Sequence, residues 1–349
     1  MILGEKYMDI IELVPREDDK KKKKPDMAAE PLADPKYKPD MEEKPDKDVY
    51  SGLSELPDGQ AKDIITEGCI VLEGGGWRGL YTLGVLDAFM MNDINIRNAV
   101  GISAGALSAL GYISGQIGWG ARIDLAHRHD REYVGISAMI KDHGVTGFSY
   151  LFEDLLKESP IDLKRLNDPS RRLAVGVTDM ITGRTVYMEK GKCNLAAAVR
   201  ASATVPYVSR PVVIDGTPYL DGGCSTKIPY RWAVDEGFKK IVVVKTREWE
   251  YRRSESPRNV VNTMYAGYPE FVKAMNAANA DFNRLTDELD AAQKEGTVYT
   301  IAPSAPVDVA RFEGDVEKLG QLYWLGYHDA TDRLDDVRQY LGISDRIDQ

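Results

Sequence analysis

The sequence predicts an α/β fold of three layers, with a mostly parallel central sheet between two layers of helices. Continuous apolar runs such as residues 68–72 (GCIVL) and 240–245 (KIVVVK) are bounded by turn signals and read as short buried strands. Glycine-containing turns lead from two strand-like runs directly into helical patterns at 80–91 and 104–113. Strand-like and helix-like segments then alternate along the chain, the pattern of a largely parallel sheet covered on both faces.

Residues 1–50 stand apart from this texture. They hold 6 of the 17 prolines, 11 Lys/Arg and 14 Asp/Glu, including the lysine run 20–24. Such a stretch buries too little apolar surface to offset its ordering entropy, so an extended or disordered charged arm is expected. Glu17, Asp18 and Asp19 precede the lysines and cancel their field within a Debye length, which favours a solvated linker over a tether to anionic membrane. From Ile64 onward strands are expected at 68–72, 99–102, 172–179, 185–188, 212–214, 240–245 and 297–301. A long helix or helix pair is expected at 258–294, and a closing amphipathic helix at 316–340. No internal repeat is visible, and residues 60–349 read as one domain near the upper size for a single core.

Composition removes several function classes. A hydrophobic share of 43% is too high for a disordered chain. The net charge of −10 argues against nucleic-acid binding, which needs a basic footprint. Cys69, Cys193 and Cys224 form no C-x-x-C pair, so neither a disulfide framework nor a zinc site is expected. No stretch approaches the ~18 apolar residues of a membrane span, and Glu5, Lys6, Asp9 and Glu12 interrupt any signal-peptide core. A soluble, cytoplasmic protein is the expectation. The arm carries −3, which leaves −7 on the remainder, so any peripheral membrane contact is expected to be local and apolar.

Three stretches carry chemistry. In Gly101-Ile102-Ser103-Ala104-Gly105 a serine falls between a strand and a helix, the setting of a nucleophile elbow. Glycines two positions on either side relieve the crossing of strand and helix, and the helix points its positive end at the serine. Taken alone, the same five residues also fit a tight turn that happens to contain serine. Glu73-Gly74-Gly75-Gly76-Trp77-Arg78-Gly79 again joins a strand to a helix, and consecutive glycines can aim their N–H groups at one point. That suits an oxyanion hole or a phosphate cradle. A dinucleotide site needs an acidic residue at the end of the second strand, where Ser103 stands instead. No Gly-Lys-Ser/Thr follows to make a Walker-type loop. The third stretch, Tyr219-Leu220-Asp221-Gly222-Gly223, is by itself a turn. Beside a candidate serine, its carboxylate has neighbours small enough to let it reach a hydroxyl.

EGGGWRG, GISAG and DGG, in this order, resemble the patatin-like phospholipases. The segment 198–209 (AVRASATVPYVS) and the C-terminal Leu319-Gly320-Gln321-Leu322-Tyr323 and Gly326-Tyr327 look similar to bacterial members. The resemblance covers roughly residues 64–345. It implies a patatin-like domain over 51–349 with a helical extension from about residue 258. It also implies a serine acyl-ester hydrolase with a Ser–Asp dyad, in which Ser103 is the nucleophile and Asp221 the base. Gly74, Gly75 and Gly76, with Arg78 close by, would form the oxyanion hole. Gly79, Gly101, Gly105, Gly222 and Gly223 would support these motifs. Glu73 stands where the family usually has Asp. The implied substrate is a lipid or other acyl ester, with no cofactor and no metal.

The histidines fit a triad poorly. His328 follows Ser103 and Asp221 in the order of an α/β-hydrolase, but falls inside the helix expected at 316–340. His127 and His129, beside Asp130, lie on a charged, helical-looking stretch and are expected to be solvated; His143 is expected in a turn. Trp77, Tyr81, Phe89, Met90 and Met91 are candidates for an acyl channel, with core packing the competing reading. The alternatives to a lipid hydrolase are a general carboxylesterase for short soluble esters and a non-catalytic lipid-binding regulatory module. A nucleotide-binding protein is a weaker one.

Overall fold

The computed structural model describes residues 48–255 and 263–343. Residues 1–47 of the expected arm, the start of the expected helix pair at 258–294 and residues 344–349 lie outside the described residues. The strands in chain order are β1 (Gly59–Gln60), β2 (Thr66–Leu72), β3 (Ile96–Ile102), β4 (Gln116–Ile117), β5 (Arg172–Asp179), β6 (Thr185–Glu189), β7 (Val212–Ile214), β8 (Thr217–Asp221), β9 (Ile241–Val244) and β10 (Tyr299–Ile301). Short β1 and β4 pair with each other. The rest form a mixed, mostly parallel sheet of 8 strands in the order β10-β9-β2-β3-β5-β8-β7, with β6 also on β5. β10, β9, β2, β3 and β5 run parallel. β6 and β8 pair antiparallel with β5, and β7 antiparallel with β8.

The helices that matter are α1 (Gly79–Met91), α2 (Ala104–Ser114), α3 (Trp119–His127), α4 (Ile136–Lys141), α5 (Leu195–Ser202), α6 (Tyr230–Asp235), α7 (Pro269–Lys294), α8 (Val316–Thr331) and α9 (Leu334–Leu341). Alternate residues of the central strands face opposite layers, as a pleated strand dictates. Ile70 and Leu72 pack with α1, α2 and α8, whereas Cys69 and Val71 pack with Trp232 of α6 and Phe282, Leu285 and Leu289 of α7. This double burial explains why the strands read as continuous apolar runs. Each such side chain contributes about 1.5–3 kcal/mol.

The closing helix expected at 316–340 is two helices. The break at Asp332 and Arg333 re-aims the chain so that Leu334, Val337 and Leu341 of α9 are buried. Tyr340 Oη accepts a 2.9 Å hydrogen bond from the Ile241 amide, which ties α9 to the start of β9.

Candidate active site

β5 brings the two key residues together. Ile102, the last residue of β3, is in register with Gly176 of β5, and Asp221, the last of β8, with Val177. β6 overlaps both stretches of β5 and therefore occupies its opposite edge. β3 and β8 thus share one edge of β5 and run toward each other, so their final residues meet end to end.

At this junction Ser103 adopts φ 55° and ψ −123°, a conformation L-residues rarely occupy. The strain belongs to the strand-to-helix turn, where Ser103 is the first flanking residue of α2. Its own N–H donates to Ser202 Oγ at 2.8 Å, and Ser202 Oγ donates to the Gly176 carbonyl at 2.7 Å. Ser202, at the end of α5, therefore clamps the elbow onto β5. The two flanking glycines are sterically required. A Cβ on Gly101 would lie 2.5 Å from the Gly105 carbonyl, and one on Gly105 would lie 2.5 Å from the Leu72 carbonyl.

Ser103 Oγ donates to Asp221 Oδ2 at 2.8 Å, while Asp221 Oδ1 accepts from the Gly223 amide at 2.7 Å. The Asp221 backbone is fixed on both sides: its N–H donates to the Thr204 carbonyl, and its own carbonyl accepts from Thr178 Oγ1. Burial pushes the Asp221 carboxyl above the ordinary carboxylate range. Arg311, the Gly223 N–H, the Ser103 hydroxyl and Lys227 oppose that rise.

The glycine loop lies against the same pair. Gly74, Gly75 and Gly76 line one cavity together with Ser103 and Asp221. The Gly74 amide is already engaged, donating to the Lys227 carbonyl at 3.1 Å, and the Trp77 amide donates to the Arg311 carbonyl at 3.2 Å. Gly76 has φ +60°, and a Cβ there would sit 2.6 Å from the Arg311 carbonyl. Glu73 is fully buried below the loop; its Oε2 accepts from the Thr246 amide at 2.7 Å, and its Oε1 lies 3.8 Å from Arg253. Gly79 opens α1 beside the start of α2, so two positive helix ends face the cavity. Gly222 packs over the Gly176 carbonyl of β5.

Arg78 departs from the expected set. Its side chain is buried and donates to the Val309 carbonyl at 3.3 Å, away from the cavity. Arg78 closes the short helical turn Gly76–Arg78 that joins the glycine loop to α1, and it faces inward there. Arg311, far away in the chain, lines the cavity instead.

The cavity has a volume of about 160 Å³ and opens to solvent. One side is apolar, built by Leu107 of α2, Trp119 and Ile123 of α3, and Phe148 and Phe152, with Trp77 at its edge. The lining also includes Lys227, Arg253 and Arg311. Of the residues expected to form an acyl channel, Trp77 lines the cavity. Tyr81, Phe89 and Met90 are core residues, and Met91 is exposed. α1 is buried on all sides, so its aromatic residues fill the layer between α8 and the sheet.

The histidines lie apart from this pair. His127 Nδ1 bonds Asp130, His129 Nε2 bonds the Gly314 carbonyl, and His328 stacks on Trp324 within α8. His143 has φ 53° and sits in the expected turn. Among the described residues, no group of three or more His, Cys, Asp or Glu gathers where a metal ion would sit. No helix among them is long and apolar enough to cross a membrane.

A model of the patatin-like phospholipase family matches residues 70–234, and one for a domain of unknown function (DUF6363) matches 268–342. The Escherichia coli protein YjjU is 30% identical over 182 residues, 51% of this chain and 51% of its own length. An NTE family protein of Mycobacterium tuberculosis is 27% identical over 167 residues, 46% of this chain and 43% of its own. The matched stretch is thus about half the length of these relatives. The crystal structure of VipD from Legionella pneumophila covers 81% of this chain and 69% of its own at 13% identity, with a TM-score of 0.43. Residues 70–234, which hold Ser103, Asp221 and the glycine loop, are a patatin-like phospholipase domain.

Proposed function

We propose that the chain is a serine acyl-ester hydrolase acting on lipid substrates, with Ser103 as nucleophile and Asp221 as its base. The observation that carries this reading is the 2.8 Å contact between Ser103 Oγ and Asp221 Oδ2 at the foot of a cavity with an apolar wall. The family match supports lipid acyl hydrolysis as the reaction class.

In the first half-reaction Ser103 Oγ attacks the ester carbonyl and its proton passes to Asp221 Oδ2. The tetrahedral oxyanion is held by the Gly75 and Gly76 amides; Gly74, whose N–H is spent on Lys227, shapes the loop. Loss of one such donor typically costs ~10²–10³ in rate. Collapse breaks the ester C–O bond, and the departing alcohol takes the proton back from Asp221. Water then attacks the acyl-serine, gives its proton to Asp221, and the acid leaves as Ser103 regains its hydrogen. An ordinary Asp is a weak base near neutral pH, and the burial of Asp221 is what strengthens it.

The apolar wall favours a long acyl chain over the short esters of a general carboxylesterase. A series of p-nitrophenyl esters tests this directly. Sustained kcat/KM from butyrate to palmitate supports the lipid hydrolase, whereas a steep fall beyond butyrate supports the carboxylesterase.

A further inference from the structure

We propose that residues 302–315, the segment between β10 and α8, are a positioning strap for the glycine loop. The region 268–342, whose function is unknown, thereby completes the catalytic site. This rests on the acyl-hydrolase reading above and gives the C-terminal region a part in that reaction.

The strap has no strand or helix of its own, so its carbonyls need partners from elsewhere. Residues that follow the glycine loop and α3 supply them. Arg78 donates to the Val309 carbonyl at 3.3 Å, and the Trp77 amide to that of Arg311 at 3.2 Å. Arg128 donates to the Phe312 and Glu313 carbonyls, and His129 Nε2 meets that of Gly314 at 2.9 Å. The Arg128 guanidinium also lies over the Trp77 ring, 4.6 Å from its centroid.

Both ends of the strap are fixed. The Ser304 amide donates to Asp329 Oδ2 at 2.9 Å, the oxygen that also accepts from the Tyr81 hydroxyl of α1. At the other end Asp315 caps α8, accepting from the Glu317 and Lys318 amides. α1 and α8 themselves meet backbone to backbone. A Cβ on Gly84 would lie 2.0 Å from the Tyr323 carbonyl, and one on Gly326 2.1 Å from the Tyr81 carbonyl.

The decisive contact is at Gly76. The Arg311 carbonyl holds the Trp77 amide, the next along the chain from the two amides proposed for the oxyanion, and leaves no room for a Cβ on Gly76. An oxyanion hole works because its donors are fixed before the reaction begins. Consecutive glycines have too much conformational freedom to hold themselves in place. The strap holds them from outside. The buried Arg78 guanidinium, whose Nε has no hydrogen-bond partner among the described residues, serves this strap rather than the cavity. Arg311 and Phe312 line the cavity as well, so the same segment also forms part of its wall.

The test measures hydrolysis of p-nitrophenyl butyrate by full-length wild type, Arg78→Met and Arg128→Met, with thermal melting as the folding check. Neither arginine lines the cavity, so both variants act through the strap. Val337→Ala, which hollows the core under α9, controls for general loss of stability. In Arg78→Met kcat is expected to fall at least about fivefold while KM stays within about twofold. Inhibition by an alkyl trifluoromethyl ketone, whose serine adduct carries the same oxyanion, is expected to weaken by a similar factor. Val337→Ala is expected to keep kcat within about threefold at a comparable loss of melting temperature. A folded Arg78→Met that loses less kcat than that, or a Val337→Ala that loses as much as Arg78→Met, overturns the proposal. Where Arg78→Met does not fold, Arg128→Met is read by the same limits. Loss of the acyl-hydrolase reading looks different: wild type then shows no Ser103-dependent turnover of any ester, and the strap has no oxyanion hole to position.

Discussion

Ser103 and Asp221 are 118 residues apart in sequence, yet Oγ and Oδ2 lie 2.8 Å apart because their strands end against consecutive residues of β5. The pair is thus placed by sheet register. A one-residue slip of β8 along β5 would turn Asp221 to the other face and break it.

The pH dependence follows from the burial of Asp221. The base must be ionised, so activity falls as the pH drops through its raised pKa, and the acid limb of kcat/KM lies above the ordinary carboxylate value of 3.8. A pH–rate profile on a neutral ester checks this; an acid limb at or below that value contradicts it.

The same burial makes a stability prediction of opposite sign. A carboxyl whose folded pKa is raised favours folding at low pH, and that contribution is lost as pH rises from the ordinary value through the raised one. At neutral pH the ionised Asp221 is therefore a cost. Asp221→Asn keeps both hydrogen-bond positions and removes the charge. It should abolish turnover yet melt higher than wild type, by about 2–4 °C for each kcal/mol relieved. Differential scanning calorimetry at pH 7 and pH 4 should show the gap narrowing at the lower pH.

Ser202→Ala removes the acceptor for the strained Ser103 amide and leaves a buried N–H unpaired, at a cost of about 1–3 kcal/mol. As a positioning residue, Ser202 should act on kcat, lowering it about tenfold while KM stays within about twofold. Ser202→Cys, which restores a weak acceptor, should recover part of the loss. Steady-state kinetics on p-nitrophenyl esters measure the split, and a change in KM alone would count against the clamp.

None of the four histidines touches the dyad. His127→Gln, His129→Gln, His143→Asn and His328→Gln, made singly and then together, should each keep kcat within about threefold in a folded protein. A loss of ~10³ or more at any one of them would point to a histidine base.

Much of this site was legible in the sequence because its chemistry is local. Gly74–Gly76, Ser103 and Asp221 each sit in a short strand–turn segment whose glycines are forced by close backbone approach, so the segments announce themselves. The bounds of β5 follow from a run buried on both faces, whereas β2 and β3 begin two and three residues before the expected 68–72 and 99–102, where polar Thr66, Glu67, Arg97 and Asn98 interrupt the apolar pattern. What the sequence concealed depends on distant segments meeting. Ser202 looks like any small residue near a helix end until β5 brings it under Ser103. Arg78 looked like the charge of the site because it is next to the glycines, but its helical turn faces inward. The cation that lines the cavity, Arg311, lies 208 residues after Ser103 in a loop without a motif. The helix expected at 316–340 breaks where α9 must turn to bury Leu334 and Val337, a demand of tertiary packing that has no glycine or proline to mark it.

The central claim, that Ser103 is the nucleophile, is tested most directly by labelling with a fluorophosphonate probe and mapping the adduct by mass spectrometry. The adduct is expected on the peptide containing Ser103 in wild type, with none in Ser103→Ala and strongly slowed labelling in Asp221→Asn. Undiminished labelling of Ser103→Ala would contradict it.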